Sequence, residues 1–391
     1  MKKITFGKPE NIVPSKYCGG LNYVETKIDY DVNKIEFKTT ARGCLIEFPL
    51  EGDEAVFGFG LQLKSFNHKG RKLQLRVNSD PVSDTGDSHA PVPFFVTNKG
   101  YGMYFDTARY AEFHCGYCKK RNREISLANN EVAVSTKDLY AKGNSNETTV
   151  MSVEIPAAKG IDVYIFEGDT ILDIVSEYNM FSGGGCDVPQ WGLGTIYRAY
   201  GRSNGDQIIA LAKYFRENDI PIEIMGLEPG WQSSSYSCSY VWDKERYPNY
   251  KEVVKFLKDN GFHINLWEHA FINAASPIYR DMYDYSADYE VWEGLIPDFG
   301  LKEARDIFAK YHKEYLVDLG IDGFKLDECD NGDFVNDWSF ANCTEFPCGM
   351  DGEQYHQMFG VLYMQTLLQA LGDTETLSEV RSAGASSSSY P

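Results

Sequence analysis

The 391-residue chain carries a net charge of −19, which argues against the phosphate backbone of nucleic acid as a partner. Hydrophobic residues make up 43% of it, enough for two cores, yet no uninterrupted apolar run reaches membrane-spanning length. The 26 Tyr, 23 Phe and 6 Trp go mostly to cores, although their flat faces also suit sugar rings.

The opening Met-Lys-Lys-Ile-Thr-Phe-Gly-Lys is basic with no apolar stretch behind it, so it does not read as a signal peptide. Nine cysteines without a regular spacing then point to reduced thiols in a cytoplasm. Cys115-Gly-Tyr-Cys118 after His114 has the spacing of half a zinc site, but no second half follows and no metal is expected. Cys343 and Cys348 bracket a Pro-containing turn.

Up to about residue 178 the chain reads as strands. Short β-rich runs cover 35–40 and 44–48, then 55–61, 93–97 and 101–106, the last two joined across Asn98-Lys99-Gly100. Runs at 150–155 and 161–166 complete a predicted β-sandwich over residues 1–178. Phe181-Ser-Gly-Gly-Gly185 is a flexible break. After it, strands at 193–200, 222–227 and 263–267 alternate with helices, one carrying Ile208, Leu211, Ala212 and Phe215 on a single face and another ending at Gly261. A helix through Ala304, Ile307, Phe308, Tyr311 and Tyr315 leads to a strand at 321–327, and a long helix over about 354–371 precedes a run at 376–381. Repeated βα units predict a parallel sheet over 179–391, either a TIM barrel or a doubly wound sheet. No glycine-rich phosphate loop opens a helix, which counts against a nucleotide fold.

Residues 321 to 330, Ile-Asp-Gly-Phe-Lys-Leu-Asp-Glu-Cys-Asp, form an apolar stretch that ends abruptly in acids. Alternation puts Phe324 and Leu326 on one face and Lys325 and Asp327 on the other, with Glu328 turned away from Asp327. A lysine beside the aspartate would hold it ionised, the state a carboxylate nucleophile needs. The same pair is equally compatible with a structural ion pair under a loop. Consecutive strand ends also deliver Arg198, Glu228, Trp267-Glu268-His269 and Arg381, a mixture of acids, cations and an indole that reads as a polar pocket with an aromatic wall.

Several stretches in order carry a resemblance. Phe57-Gly-Phe-Gly-Leu-Gln and Pro93-Phe-Phe-Val-Thr-Asn-Lys-Gly-Tyr-Gly-Met-Tyr-Phe are followed by Tyr240-Val-Trp-Asp-Lys-Glu-Arg-Tyr-Pro248, then by Pro297-Asp-Phe and Asp322-Gly-Phe-Lys-Leu-Asp327. With these motifs the chain resembles glycoside hydrolase family 31, retaining α-glycosidases with a β-sandwich ahead of a (β/α)8 TIM barrel. The resemblance implies an α-linked oligosaccharide or glycoside as substrate, with neither metal nor organic cofactor. It places Asp327 on the nucleophile, Lys325 and Trp267 on residues lining the cleavage subsite, and Arg381 on the arginine before the acid/base loop. Glu228 stands where the family usually has an aspartate gripping sugar hydroxyls, and His269 replaces another frequent subsite residue. The family's acid/base aspartate follows the Arg381 position closely, and no acid follows Arg381 in this sequence. The expectation is therefore an N-terminal portion of a longer enzyme with an incomplete barrel. Glu268 or Asp330 as proton donor is the alternative, and a sugar-binding protein without turnover is the alternative from another class.

Overall fold

The computed structural model describes residues 1–19, 21–79, 81, 83–117, 149–332 and 338–391. Two compact units emerge, one of Met1–Asn11, Tyr23–Arg76 and Pro81–Phe181, the other of Ile12–Asn22, Val77–Asp80 and Ser182–Pro391.

The first unit is a sandwich of two antiparallel five-stranded sheets. One runs in the order Lys2–Lys8, Lys159–Glu167, Tyr101–Phe105, Pro91–Thr97, Val56–Gly60, and the other in the order Glu36–Thr39, Gly43–Leu50, Thr149–Pro156, Glu112–Cys115, Lys72–Gln74. The Asn98-Lys99-Gly100 connection makes a hairpin because Gly100 adopts a φ of +83°, open to glycine without strain. Alternating residues of both sheets meet in a core that includes Phe48, Phe59, Phe95, Phe105 and Phe113. Strands Lys2–Lys8, Lys72–Gln74 and Glu112–Cys115 escape the sequence reading, since each is short in apolar residues. Cys118 lies outside the described residues, and the nearby Cys115 is a buried thiol whose pKa burial pushes up to about 12.

The second unit carries five parallel strands, in order Thr195–Ala199, Ile222–Leu227, His263–Glu268, Gly323–Leu326 and Glu379–Val380. Helices Gly205–Glu217, Tyr250–Asp259, Lys302–Tyr315 and Gly352–Leu371 connect them. Local signals explain where these helices begin and end. Asn204 with Gln207, and Asp351 with Gln354, form reciprocal capping boxes, while Gly261 at φ +72° and Gly372 at φ +58° follow two of the helices. Ile208, Ala212 and Phe215 are the buried stripe of the first helix.

Two expectations about strands need correction. The expected run at 193–200 opens with a 3-10 turn at Gln190–Leu193, so the strand is only Thr195–Ala199. The run at 376–381 shrinks to Glu379–Val380, and before it the Thr376 hydroxyl donates to the Asp322 carbonyl while the Ser378 hydroxyl accepts from the Phe324 N–H. A three-stranded antiparallel sheet of Ile272–Asn273, Gly294–Pro297 and Ser286–Val291 between the third and fourth barrel strands is also new.

The sandwich core supplies a first prediction. Phe113 is fully buried with ring centroids 4.9 Å from Phe59 and 5.3 Å from Phe105. Phe113→Ala should cost ~3–5 kcal/mol of stability, read as a shift in the urea midpoint of the circular dichroism transition.

Candidate active site

The five parallel strands end side by side, and their last inward side chains form a continuous run of alternating charge. Arg198 donates from Nε to Glu228 at 2.6 Å and from Nη1 to Glu379 at 2.7 Å and to Asn265 at 2.5 Å. Strand register explains the meeting, because Arg198, Gly226 and Asn265 lie opposite one another. Gly226 leaves the space, since a Cβ there would come within 2.7 Å of the Arg198 side chain. Lys325 Nζ then lies 3.8 Å from Glu228 and 3.6 Å from Asp327. Arg381 donates to Asp327 at 2.8 Å and to Asp330 at 3.1 Å.

Asp327 is the focus of this run. It is 6% exposed, and its backbone N–H donates to the Glu268 carbonyl at 2.9 Å, one residue past the end of the strand. On the other side the Arg381 N–H donates to the Leu326 carbonyl at 3.1 Å, which sets the guanidinium beside the carboxylate. Oδ2 accepts from the Trp267 indole at 2.7 Å and Oδ1 accepts from the Glu328 N–H at 3.0 Å. Burial by itself would raise the Asp327 pKa. The indole, Arg381, Lys325 and the Glu328 N–H outweigh it and hold the carboxyl below its ordinary value. Asp327 is thus a desolvated carboxylate kept ionised. Trp267 is fixed in turn by the Trp231 indole, which donates to its carbonyl at 2.7 Å.

The sequence-predicted residues do not all stand in the same relation to this carboxylate. Glu228, Trp267, Lys325 and Arg381 converge on it through the contacts above. His269 is fully buried and packs behind the wall, its ring 5.5 Å from Trp267 and 5.0 Å from Trp292. The Phe271 N–H donates to its Nδ1 at 3.1 Å, and burial pushes its pKa down to about 3, so the ring is neutral. Glu268 leaves the site altogether. Alternation turns it to the opposite face from Trp267, where it accepts from the Tyr363 hydroxyl at 2.6 Å and meets His312 at 3.2 Å, all three fully buried.

Glu328 corrects the alternation argument. Its φ of +56° ends the strand, and its carboxylate comes within 3.4 Å of the same Arg381 guanidinium instead of turning away. Burial and the neighbouring Asp327 and Asp330 raise its pKa against the opposing effect of Arg381. Sequence reasoning also passed over Glu379 and Tyr236. Glu379 had a signal, being two residues before Arg381 on one strand face. Tyr236, whose ring lies 5.6 Å from Trp267, had none, because a long connection after Glu228 carries it.

The TIM-barrel domain model of glycosyl hydrolases family 31 matches residues 186–391, and the family's N-terminal galactose mutarotase-like domain model matches residues 26–114. The chain belongs to glycoside hydrolase family 31. Among curated relatives, an α-xylosidase from Emericella nidulans is 22% identical over 365 residues, covering 89% of this chain and 42% of the relative. Alpha-glucosidase 2 from Bacillus thermoamyloliquefaciens is 24% identical, over 72% of this chain and 34% of its own length. A family 31 dextranase from Flavobacterium johnsoniae, solved with glucose, superposes with a TM-score of 0.71 at 20% identity, over 92% of this chain and 42% of the dextranase. This family 31 chain therefore spans less than half the length of these relatives, with the sandwich and the barrel strands both represented.

The placement of Glu268 generates a prediction that separates structure from chemistry. Glu268→Ala strands His312 and Tyr363 in the core and should cost ~3–5 kcal/mol in denaturant unfolding. Asp327 should still be labelled by a cyclophellitol-type epoxide within a few-fold of the unaltered rate. Selective loss of labelling in a variant of unchanged stability would make Glu268 a chemical participant.

Proposed function

We propose that this chain carries the nucleophile and the sugar-gripping residues of a retaining α-glycosidase. The observation that supports it most is the Asp327 carboxylate, buried at a parallel strand end and held ionised by Arg381, Lys325 and Trp267. In the reaction, an Asp327 oxygen attacks the anomeric carbon as the bond to the leaving oxygen breaks, giving a glycosyl ester that water then hydrolyses. The leaving oxygen needs a proton from a second carboxyl about 5–5.5 Å from the first. Glu268 faces away, and Glu328 and Asp330 already lie against Arg381 beside the nucleophile. The proposed donor is therefore a carboxyl outside these three.

Glu228 is proposed to accept hydrogen bonds from hydroxyls of the bound sugar, since its pairing with Arg198 and Lys325 fixes the carboxyl at the adjacent strand end. Around the nucleophile stand Arg198, Lys325 and Arg381 against the carboxyls of Glu228, Asp327, Glu328, Asp330 and Glu379. That excess of acids favours a neutral glycon over an anionic one.

Asp327→Ala in the intact protein should lower turnover of nitrophenyl α-glycosides by at least ~10⁴-fold, and the epoxide label should map by mass spectrometry to the peptide carrying Asp327. A label on Glu328 or Asp330 would reassign the nucleophile. A protein that binds sugar but takes no label at all would favour the sugar-binding reading.

The pH dependence has a definite sign. A carboxyl whose folded-state pKa is lowered contributes stability above its ordinary value, and loses that contribution as pH falls through the lowered value. Labelling of Asp327 should accordingly persist into acid below the usual carboxylate range. Lys325→Met removes one of the cations responsible, so the acid limb of the labelling profile should move to higher pH. An unmoved limb would show that Lys325 does not act on Asp327.

A further inference from the structure

Arg198 meets its two acids in different ways. An arginine offers N–H groups from Nε and Nη2 on one edge of its plane, spaced to meet both oxygens of a carboxyl. Glu228 lies at that edge, yet only Nε reaches it, at 2.6 Å to Oε1. Nη2 is enclosed and has no partner among the described residues. The approach of Lys325 to Glu228 is also to Oε1, at 3.8 Å, so Oε2 takes no hydrogen bond among the described residues. The fork is half closed. An enclosed donor without a partner is uncommon in a folded protein and calls for a physical cause.

The cause lies on the far edge of the guanidinium. There Nη1 donates to Asn265 Oδ1 at 2.5 Å and to Glu379 Oε2 at 2.7 Å. Glu379 lies opposite Lys325 in the strand register, which brings its carboxyl to the face where Arg198 sits. Of the two acceptors Glu379 is the acid, and a hydrogen bond to a carboxylate is roughly twice as strong as one to an amide. Glycine at position 226 leaves the guanidinium room beside it, so the bonds at Nη1 set its angle.

We propose that Glu379 is a positioning residue: it draws Arg198 by Nη1, keeps Nη2 off Glu228, and so leaves Glu228 Oε2 to accept from a hydroxyl of the bound sugar. The inference rests on the glycosidase reading and adds what keeps Glu228 available to the glycon. Without Glu379 the guanidinium turns about Nε, Nη2 closes on Oε2, and both oxygens of Glu228 are taken up by the protein. Asp327 is outside that movement, because Trp267, Arg381 and the Glu328 N–H hold it independently of Arg198. The consequence falls on glycon binding and leaves the attack by Asp327 unchanged.

The test separates binding from attack. Labelling of Asp327 by a cyclophellitol-type epoxide is resolved into KI and kinact for the unaltered protein, Glu379→Leu, Glu379→Ala and Glu379→Gln, and crystal structures of the variants are solved. Leu and Ala offer Nη1 no acceptor, so both should raise KI at least ~10-fold with kinact within about threefold, and Arg198 Nη2 should lie at hydrogen-bond distance from Glu228 Oε2. Glu379→Gln keeps an oxygen for Nη1 without the charge, and its KI should stay within about threefold of the unaltered value. With Glu228 already changed to Gln, adding Glu379→Leu should move KI by less than about twofold, because the carboxyl it protects is gone. Losses that add across the two positions, equal damage to KI and kinact, or a Gln variant as impaired as Leu would mean that Glu379 has no specific hold on Glu228, and the assignment fails. A fork still open in the Glu379→Leu crystals overturns it as well. Failure of the glycosidase reading looks different: the unaltered protein would take no label on Asp327, while the fork in the crystals, open with Glu379 or closed without it, would still decide the positioning.

Discussion

Everything at the strand ends depends on the sharing of charge between neighbours. Glu379, Arg198, Glu228, Lys325, Asp327, Arg381 and Asp330 alternate in sign along one edge of the barrel sheet, and each internal member touches an opposite charge on both sides. Desolvating any one of these groups alone would be unfavourable by several kcal/mol, and pairing returns that only when geometry is good. Parallel strands supply the geometry, because neighbouring residues repeat at one spacing and Gly226 keeps a gap into which the Arg198 side chain fits. Alternation has a chemical consequence as well as a structural one. The Asp327 carboxylate stays ionised although buried, while the adjacent Glu328 is pushed toward its neutral form.

The aromatic side of the site follows a different logic. Trp231, Trp267 and His269 are buried and held by hydrogen bonds to backbone or carboxylate, so they define a rigid wall. Trp292 instead meets the rings of Tyr236 and His269 from a turn at positive φ. The first group fixes the surroundings of the Asp327 carboxylate, to which the Trp267 indole donates. Glu268 and His312 show how close a structural pair can come to a chemical one. Glu268 is one residue from Trp267 in sequence, yet the pleat of the strand puts the two on opposite sides of the sheet.

How far the sequence alone carries can be judged at particular residues. The run from Phe324 to Asp327 was legible because a period of two is the only pattern a strand offers, and Phe324 and Leu326 are fully buried while Lys325 meets Asp327. The capped helices were legible for a similar reason, since their caps and apolar stripes are local. Glu328 was misread because alternation stops where the strand stops, and its positive φ is imposed by the turn that follows. Strands Lys2–Lys8 and Lys72–Gln74 were missed because each is short in apolar residues, and pairing with Lys159–Glu167 and Glu112–Cys115 makes them strands.

Sequence by itself determined the succession of βα units, the switch from sandwich to those units, and the identity of the carboxylate at the end of the Gly323–Leu326 strand. Each of these is written in local periodicity or in a short motif, and local physics reads both. Tertiary structure alone decided that Glu268 belongs to the core, that Glu379 joins the charge run through Arg198, and that Tyr236, Trp292 and Trp338 stand together. Those three rings come from separate connections with no shared periodicity, and only the folded chain brings them within contact distance of one another.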